Sequence, residues 1–126
     1  MTEPKMGFEG QAAQQQAGLG DFLWEAHSAG SRILDFTSGR TFTDYEAHEV
    51  LRAAVESMLG IVAASLEDVQ QHFPEEAAKI EHRSEAIALR PRLGTGSDAE
   101  VWRFVEASLP ELMGEVAALL EDWHSA

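Results

Sequence analysis

The chain has 126 residues, of which 44% are hydrophobic, and its 9 basic and 22 acidic residues give a net charge of −13. That length suits one domain with a core of useful size, and so apolar a composition is not that of a disordered chain. No cysteine is present, which excludes disulfides, thiolate metal sites and cysteine nucleophiles and fits a reducing, cytoplasmic setting.

Residues 1–18 are rich in glutamine, alanine and glycine with little periodicity, and are expected to form a flexible extension ahead of a helical domain over 19–124. Met6 offers an alternative start. The segment lacks a basic run followed by an apolar one, so it does not resemble a secretory leader. The first helix is predicted over 20–37, with Asp21 near its start. Phe22, Leu23, Ala26, Ile33, Leu34 and Phe36 form its apolar stripe. Gly30 in its middle predicts a close helix approach, and Gly39 ends it.

After TFTDYEAH, in which Thr43 or Asp44 is placed to cap a short turn, residues 49–72 contain no proline. Val50, Leu51, Ala54, Val55, Met58, Leu59, Val62, Leu66 and Val69 recur at helical spacing there. The stripe is wide, so this helix is predicted to be central. Phe73-Pro74 breaks it, and a shorter, more polar helix follows over about 75–89. The last helix is predicted from Asp98, read as its N-cap, through a seam running from Trp102 and Val105 to Leu120 and Trp123, with a kink at Pro110. No period-2 alternation occurs. The predicted fold is all-α, an up-and-down bundle of four main helices. The wide stripe and the long seam exceed what one small bundle buries, which predicts a homodimer. No run of about 18 apolar residues is present, so no membrane span is expected.

The loop 89–98, LRPRLGTGSD, is where chemistry is most to be sought. Gly94-Thr95-Gly96 lacks both the GxxxxGK[ST] pattern and a preceding strand, so it does not read as a phosphate cradle. His82 and Glu85 share a helix face, but two ligands do not make a metal site, and no metal or cofactor is expected. His27, His48, His72 and His124 are scattered, and no nucleophile elbow occurs. Trp24, Trp102 and Trp123 occupy apolar helix positions, as core or interface anchors do. Five of the 9 basic residues, Lys79, Arg83, Arg90, Arg92 and Arg103, fall within 79–103, yet Glu81, Glu85, Asp98 and Glu100 balance them. An acidic surface of this kind repels polyanions, and free-standing nucleic-acid binding would need a basic patch.

From 20 to 122 the order of elements, with the Val101-Trp102 pair and Leu109-Pro110-Glu111-Leu112 behind the loop, resembles the HepT-like proteins of the HEPN superfamily. In that family the loop carries Arg-Asn, three variable residues, His, one variable residue, and Tyr. The resemblance implies a HEPN-like homodimer, a metal-independent endoribonuclease toxin, and a minimal nucleotidyltransferase antitoxin that modifies the tyrosine. In this chain Arg90 stands at the motif arginine, Pro91 replaces the asparagine, Thr95 stands where the histidine belongs, and Ser97 where the tyrosine belongs. No arginine has a histidine at motif spacing; Arg40 comes nearest, with His48 eight residues on.

A hydroxyl that does not ionise near neutral pH is no substitute for an imidazole, and losing such a group costs on the order of 10²–10⁴ in rate. Pro91 is further expected to push Arg90 out of helical geometry. The expectation is a degenerate family member that acts by dimerisation and partner binding. An active ribonuclease would need a histidine from elsewhere, such as His82 or His48, or from a second protomer. A scaffold unrelated to RNA is the remaining alternative.

Overall fold

The computed structural model describes the backbone of residues 3–125 and the side chains of residues 18–123. Among these residues the chain is all-helical: α1 Glu3–Thr37, α2 Phe42–Ala47, α3 Glu49–His72, α4 Pro74–Ala77, α5 Arg83–Leu89, a 3-10 turn Arg90–Arg92, α6 Asp98–Ala107 and α7 Leu109–Ser125. The extension expected over 1–18 lies, apart from Gly18, outside the described side chains. No helix is long and apolar enough to cross a membrane among the described residues.

The helices form a bundle in which α1 and α3 pack along each other, α7 lies on α1, and α5 lies on α3. One core joins them. Leu23, Ile33, Tyr45, Val55, Leu59, Val62, Leu66, Ile80, Leu109, Leu112 and Val116 are all at most 2% exposed. The close approach read from Gly30 is present: a Cβ there would overlap the sulfur of Met113 on α7. Two stripe positions do not reach the core, since Phe36 is 41% and Val50 73% exposed.

Four boundaries differ from the sequence reading, each for a local reason. First, α1 begins at Glu3, so Asp21 is interior and caps nothing; after Pro4, in the first turn, no proline interrupts it. Second, the helix expected over 75–89 is broken into α4 and α5, with turns between them. There the backbone N–H groups of Glu81 and His82 donate to the Glu115 carboxylate on α7 (3.2 and 3.1 Å) rather than to carbonyls four residues back. Third, the kink expected at Pro110 is a full break between α6 and α7. Pro110 has no N–H for the carbonyl of Glu106, and it falls in the first turn of α7, where that loss costs nothing. Fourth, the caps shift by one to three residues. Thr41, not Thr43, is the N-cap of α2, and Asp44 is its reciprocal partner in a capping box. Ser97, not Asp98, precedes α6, leaving Asp98 as its first residue.

Candidate functional site

Arg90 closes α5 and opens the 3-10 turn. Pro91 does not expel it from helical geometry: its dihedrals are φ −51 and ψ −51. Proline disfavours that conformation in the preceding residue without forbidding it, and the fixed φ of Pro91 suits the start of a tight helical turn. The Arg90 guanidinium reaches across to α3, where its Nη1 lies 2.5 Å from the Glu67 carboxylate. Both side chains remain partly exposed, at 47% and 37%.

The loop after Pro91 is tied to its own backbone. The carbonyl oxygen of Arg92 accepts from Thr95 N–H (3.2 Å), Thr95 Oγ1 (2.5 Å) and Ser97 Oγ (2.7 Å). Gly94 and Gly96 adopt φ +79 and +82, the left-handed region that glycine enters without Cβ strain. The Gly94 N–H donates to the Glu56 carboxylate of α3. Arg92 pairs with Glu100, and Arg52 lies 3.8 Å from Asp98. The motif-aligned residues are therefore drawn together into one loop, but not into one site. Thr95 and Ser97 spend their hydroxyl protons on Arg92, and the partner of Arg90 is Glu67.

This arrangement holds a loop in place, and neither of the hydroxyls of Thr95 and Ser97 ionises near neutral pH. An arginine binding a scissile phosphate would first have to leave Glu67, and the carboxylates of Glu56, Glu67 and Glu100 around the loop oppose an incoming phosphate.

The two histidines that might have substituted are engaged elsewhere. His48 is the N-cap of α3, its Nδ1 accepting the N–H of Leu51 at 3.1 Å. His82 stands between two carboxylates of α7, with Nδ1 3.2 Å from Glu115 and Nε2 2.9 Å from Glu111. The hydrogen bond to Glu115 raises its pKa above the ordinary histidine value, aided by the charges of Glu115, Glu111 and Glu85 and opposed by partial burial. Glu85, its suggested metal co-ligand, instead accepts from Ser108 Oγ at 2.5 Å. Among the described residues no group of three or more His, Asp or Glu side chains is arranged to hold a metal.

Sequence reasoning missed Glu56, Glu67 and Tyr45. Glu56 and Glu67 stand eleven residues apart on α3, about 20° apart around its axis, so a helical projection would have put both on one stripe with Arg52. Tyr45 is fully buried with its ring 5.3 Å from that of Trp102, and its hydroxyl has no partner among the described residues. Burial raises its pKa, with the nearby charges of Glu56 and Asp98 adding to the effect and Arg52 opposing it. No sequence pattern marks that hydroxyl.

Beside the loop, a groove of about 570 Å³ is lined by Leu89 and Phe104 together with Glu85, Arg92, Glu100 and Arg103. Compared with protein-family models, with curated proteins and with solved structures, the chain shows no match.

Proposed function

We propose that the chain is a HepT-like bundle of the toxin–antitoxin type that acts by docking to protein partners and does not cut RNA. One observation carries the reading: Arg90 is neutralised by Glu67, and the hydroxyls at the histidine and tyrosine positions, on Thr95 and Ser97, are bound to the Arg92 carbonyl. Phosphodiester cleavage through the ribose 2′-OH needs a base to take its proton and an acid to protonate the leaving oxygen. His48 and His82 are both occupied by structural bonds, so neither is ready for the task. The HEPN-like fold, the homodimer and a minimal nucleotidyltransferase partner come with the resemblance of residues 20–122.

Incubation of the pure chain with RNA, without metal, tests the catalytic part. No 2′,3′-cyclic ends are expected. Their robust formation, abolished in Arg90→Ala, would overturn the reading. Co-purification with a nucleotidyltransferase encoded beside it tests the partner.

A scaffold without any link to RNA is the second reading. It is favoured by the pairing of Arg52, Arg90 and Arg92 with carboxylates, which leaves the loop face with little free positive charge on a chain of net charge −13. A stable complex with the nucleotidyltransferase would decide against it.

A further inference from the structure

The groove beside the loop has two walls, and each presents one helical face to it. On α5 and the 3-10 turn, Glu85, Ala88, Leu89 and Arg92 recur at spacings of three and four. On α6, Glu100, Arg103, Phe104 and Ala107 do the same, and Ser108 closes the row. The walls run in opposite directions and are tied at both ends: Ser108 Oγ donates to Glu85 at 2.5 Å, and Arg92 pairs with Glu100. These ties stand seven residues apart on one wall and eight on the other, a length of about 10–12 Å. Between them Leu89 and Phe104 are buried at 8% and 5% exposure, and Ala88 and Ala107 line the groove from exposed positions. Small side chains at 88 and 107 keep it open. Its volume of about 570 Å³ lies in the range usual for small-molecule sites.

Arg103 is the charged group of this groove that the fold leaves over. Glu100 is taken by Arg92 and Glu85 by Ser108, whereas the Arg103 guanidinium has no ion pair or hydrogen bond among the described residues. We infer that the groove binds a small amphipathic monocarboxylate, with its carboxylate on Arg103 and its apolar body against Leu89 and Phe104. The chemistry selects this class in three ways. A guanidinium offers parallel N–H donors in a planar fork that matches one carboxylate. A second negative charge, as on a phosphate, would meet Glu85 and Glu100 with no further free cation to balance it. The apolar lining gives up only water to the body of the ligand. The ties at both ends limit its length to that of a small free molecule and obstruct a partner helix laid along the groove.

The inference goes beyond the proposed function and does not rest on it. Arg90, Thr95 and Ser97, which carry that reading, do not line the groove.

Octanoate is the probe, titrated at neutral pH into the full chain labelled with nitrogen-15. Saturable shifts are expected for the amides of Ala88, Leu89, Phe104 and Ala107 and for the Arg103 Nε–H, with a Kd of about 1 mM or tighter, the scale set by so few ligand atoms. Arg103→Gln is expected to weaken binding roughly tenfold or more, and so is replacing octanoate by the neutral octanamide. Ala107→Leu fills the groove and is expected to abolish the shifts. Both substitutions are at exposed positions, so the spectrum of the remaining chain should stay as in wild type. No saturation up to about 10 mM octanoate, unchanged affinity in Arg103→Gln or for octanamide, or shifts centred instead on Trp24 and Ile61 would overturn the assignment. Saturation by an acetylated leucyl-glutamate amide but not by octanoate would also overturn it, by giving the groove to a side chain of a partner protein. None of these outcomes depends on whether the chain cuts RNA.

Discussion

On one flank of α3, Arg52, Glu56 and Glu67 each hold part of the loop-bearing side of the molecule, through Asp98, Gly94 and Arg90. On the other flank, Ile61 is exposed beside Trp24 of α1, and Ser65 Oγ donates to Glu25 at 3.3 Å. The charged flank looks more like a functional surface, and it is the one whose groups are already satisfied. A guanidinium bound to a carboxylate has to give up that partner before it takes another. Exposed apolar surface gives up only water when it binds, which is favourable by about 25 cal/mol per Å². In this molecule the paired charges serve the fold, and the exposed apolar side chains lie on the other side.

The largest expected effect comes from the ridge between the flanks. Leu59 is 2% exposed, and Leu59→Ala should cost about 2–5 kcal/mol in denaturant unfolding, by the lost burial and the cavity left behind. A cost below about 1 kcal/mol would mean that α3 is not the common wall of both flanks. Next is the loop itself. Gly94→Ala forces a Cβ into a backbone of φ +79, at a cost of about 1–2 kcal/mol. The nearest atom to such a Cβ, Glu56 Oε2 at 3.9 Å, leaves room for it, so the cost is conformational rather than steric. Faster amide exchange across 92–97, with α1 and the far flank of α3 unchanged, would sharpen the contrast. Loss spread over both flanks would break it.

The helical periods and the Gly30 contact were legible in the sequence, because each depends on spacing along one helix or on residue identity. The break between α4 and α5 was not. It depends on Glu115, thirty-three residues beyond His82, accepting two backbone donors that a continuous helix would have used internally. The pairing of Arg90 with Glu67 escaped for the same reason: a surface arginine can reach several acids, and the choice among them is made by how α5 lies on α3. Phe36 and Val50 were read as members of the apolar stripes of their helices. A stripe wider than the surface available inside one bundle leaves its margins outside, and these two residues are those margins.

His82 gives a smaller, pH-dependent effect away from both flanks. With the ring neutral, only one nitrogen carries a proton, and the other turns a lone pair toward a carboxylate. Protonation lets Nδ1 donate to Glu115 and Nε2 to Glu111 at once. The folded pKa is raised above the unfolded value near 6.5. The added stability is therefore fully present below about 6.5 and is lost as pH rises through the folded pKa. Partial exposure limits it to no more than about 1 kcal/mol. Unfolding measured between pH 6 and 8 should show wild type losing stability relative to His82→Gln. A pH-independent difference would mean that the two carboxylates do not hold the imidazolium.

The smallest expected effect is at Tyr45, beside the charged flank and buried where the charged side chains near it are not. Its ring packs on Trp102, and its hydroxyl lies away from solvent with no partner among the described residues. An unpaired buried hydroxyl costs free energy, whereas the ring contact is kept when the oxygen is removed. Tyr45→Phe should therefore leave stability unchanged or raise it by up to about 1 kcal/mol. The charges of Glu56, Asp98 and Arg52 act on this hydroxyl without bonding to it, so the substitution also separates two kinds of polar group on one side of α3: those that meet a partner and one that does not. A loss of more than about 1 kcal/mol would mean that the hydroxyl has a bonded partner in solution. The satisfied network would then extend inward from the loop to α2, and the contrast between the flanks would be one of depth as well as of charge.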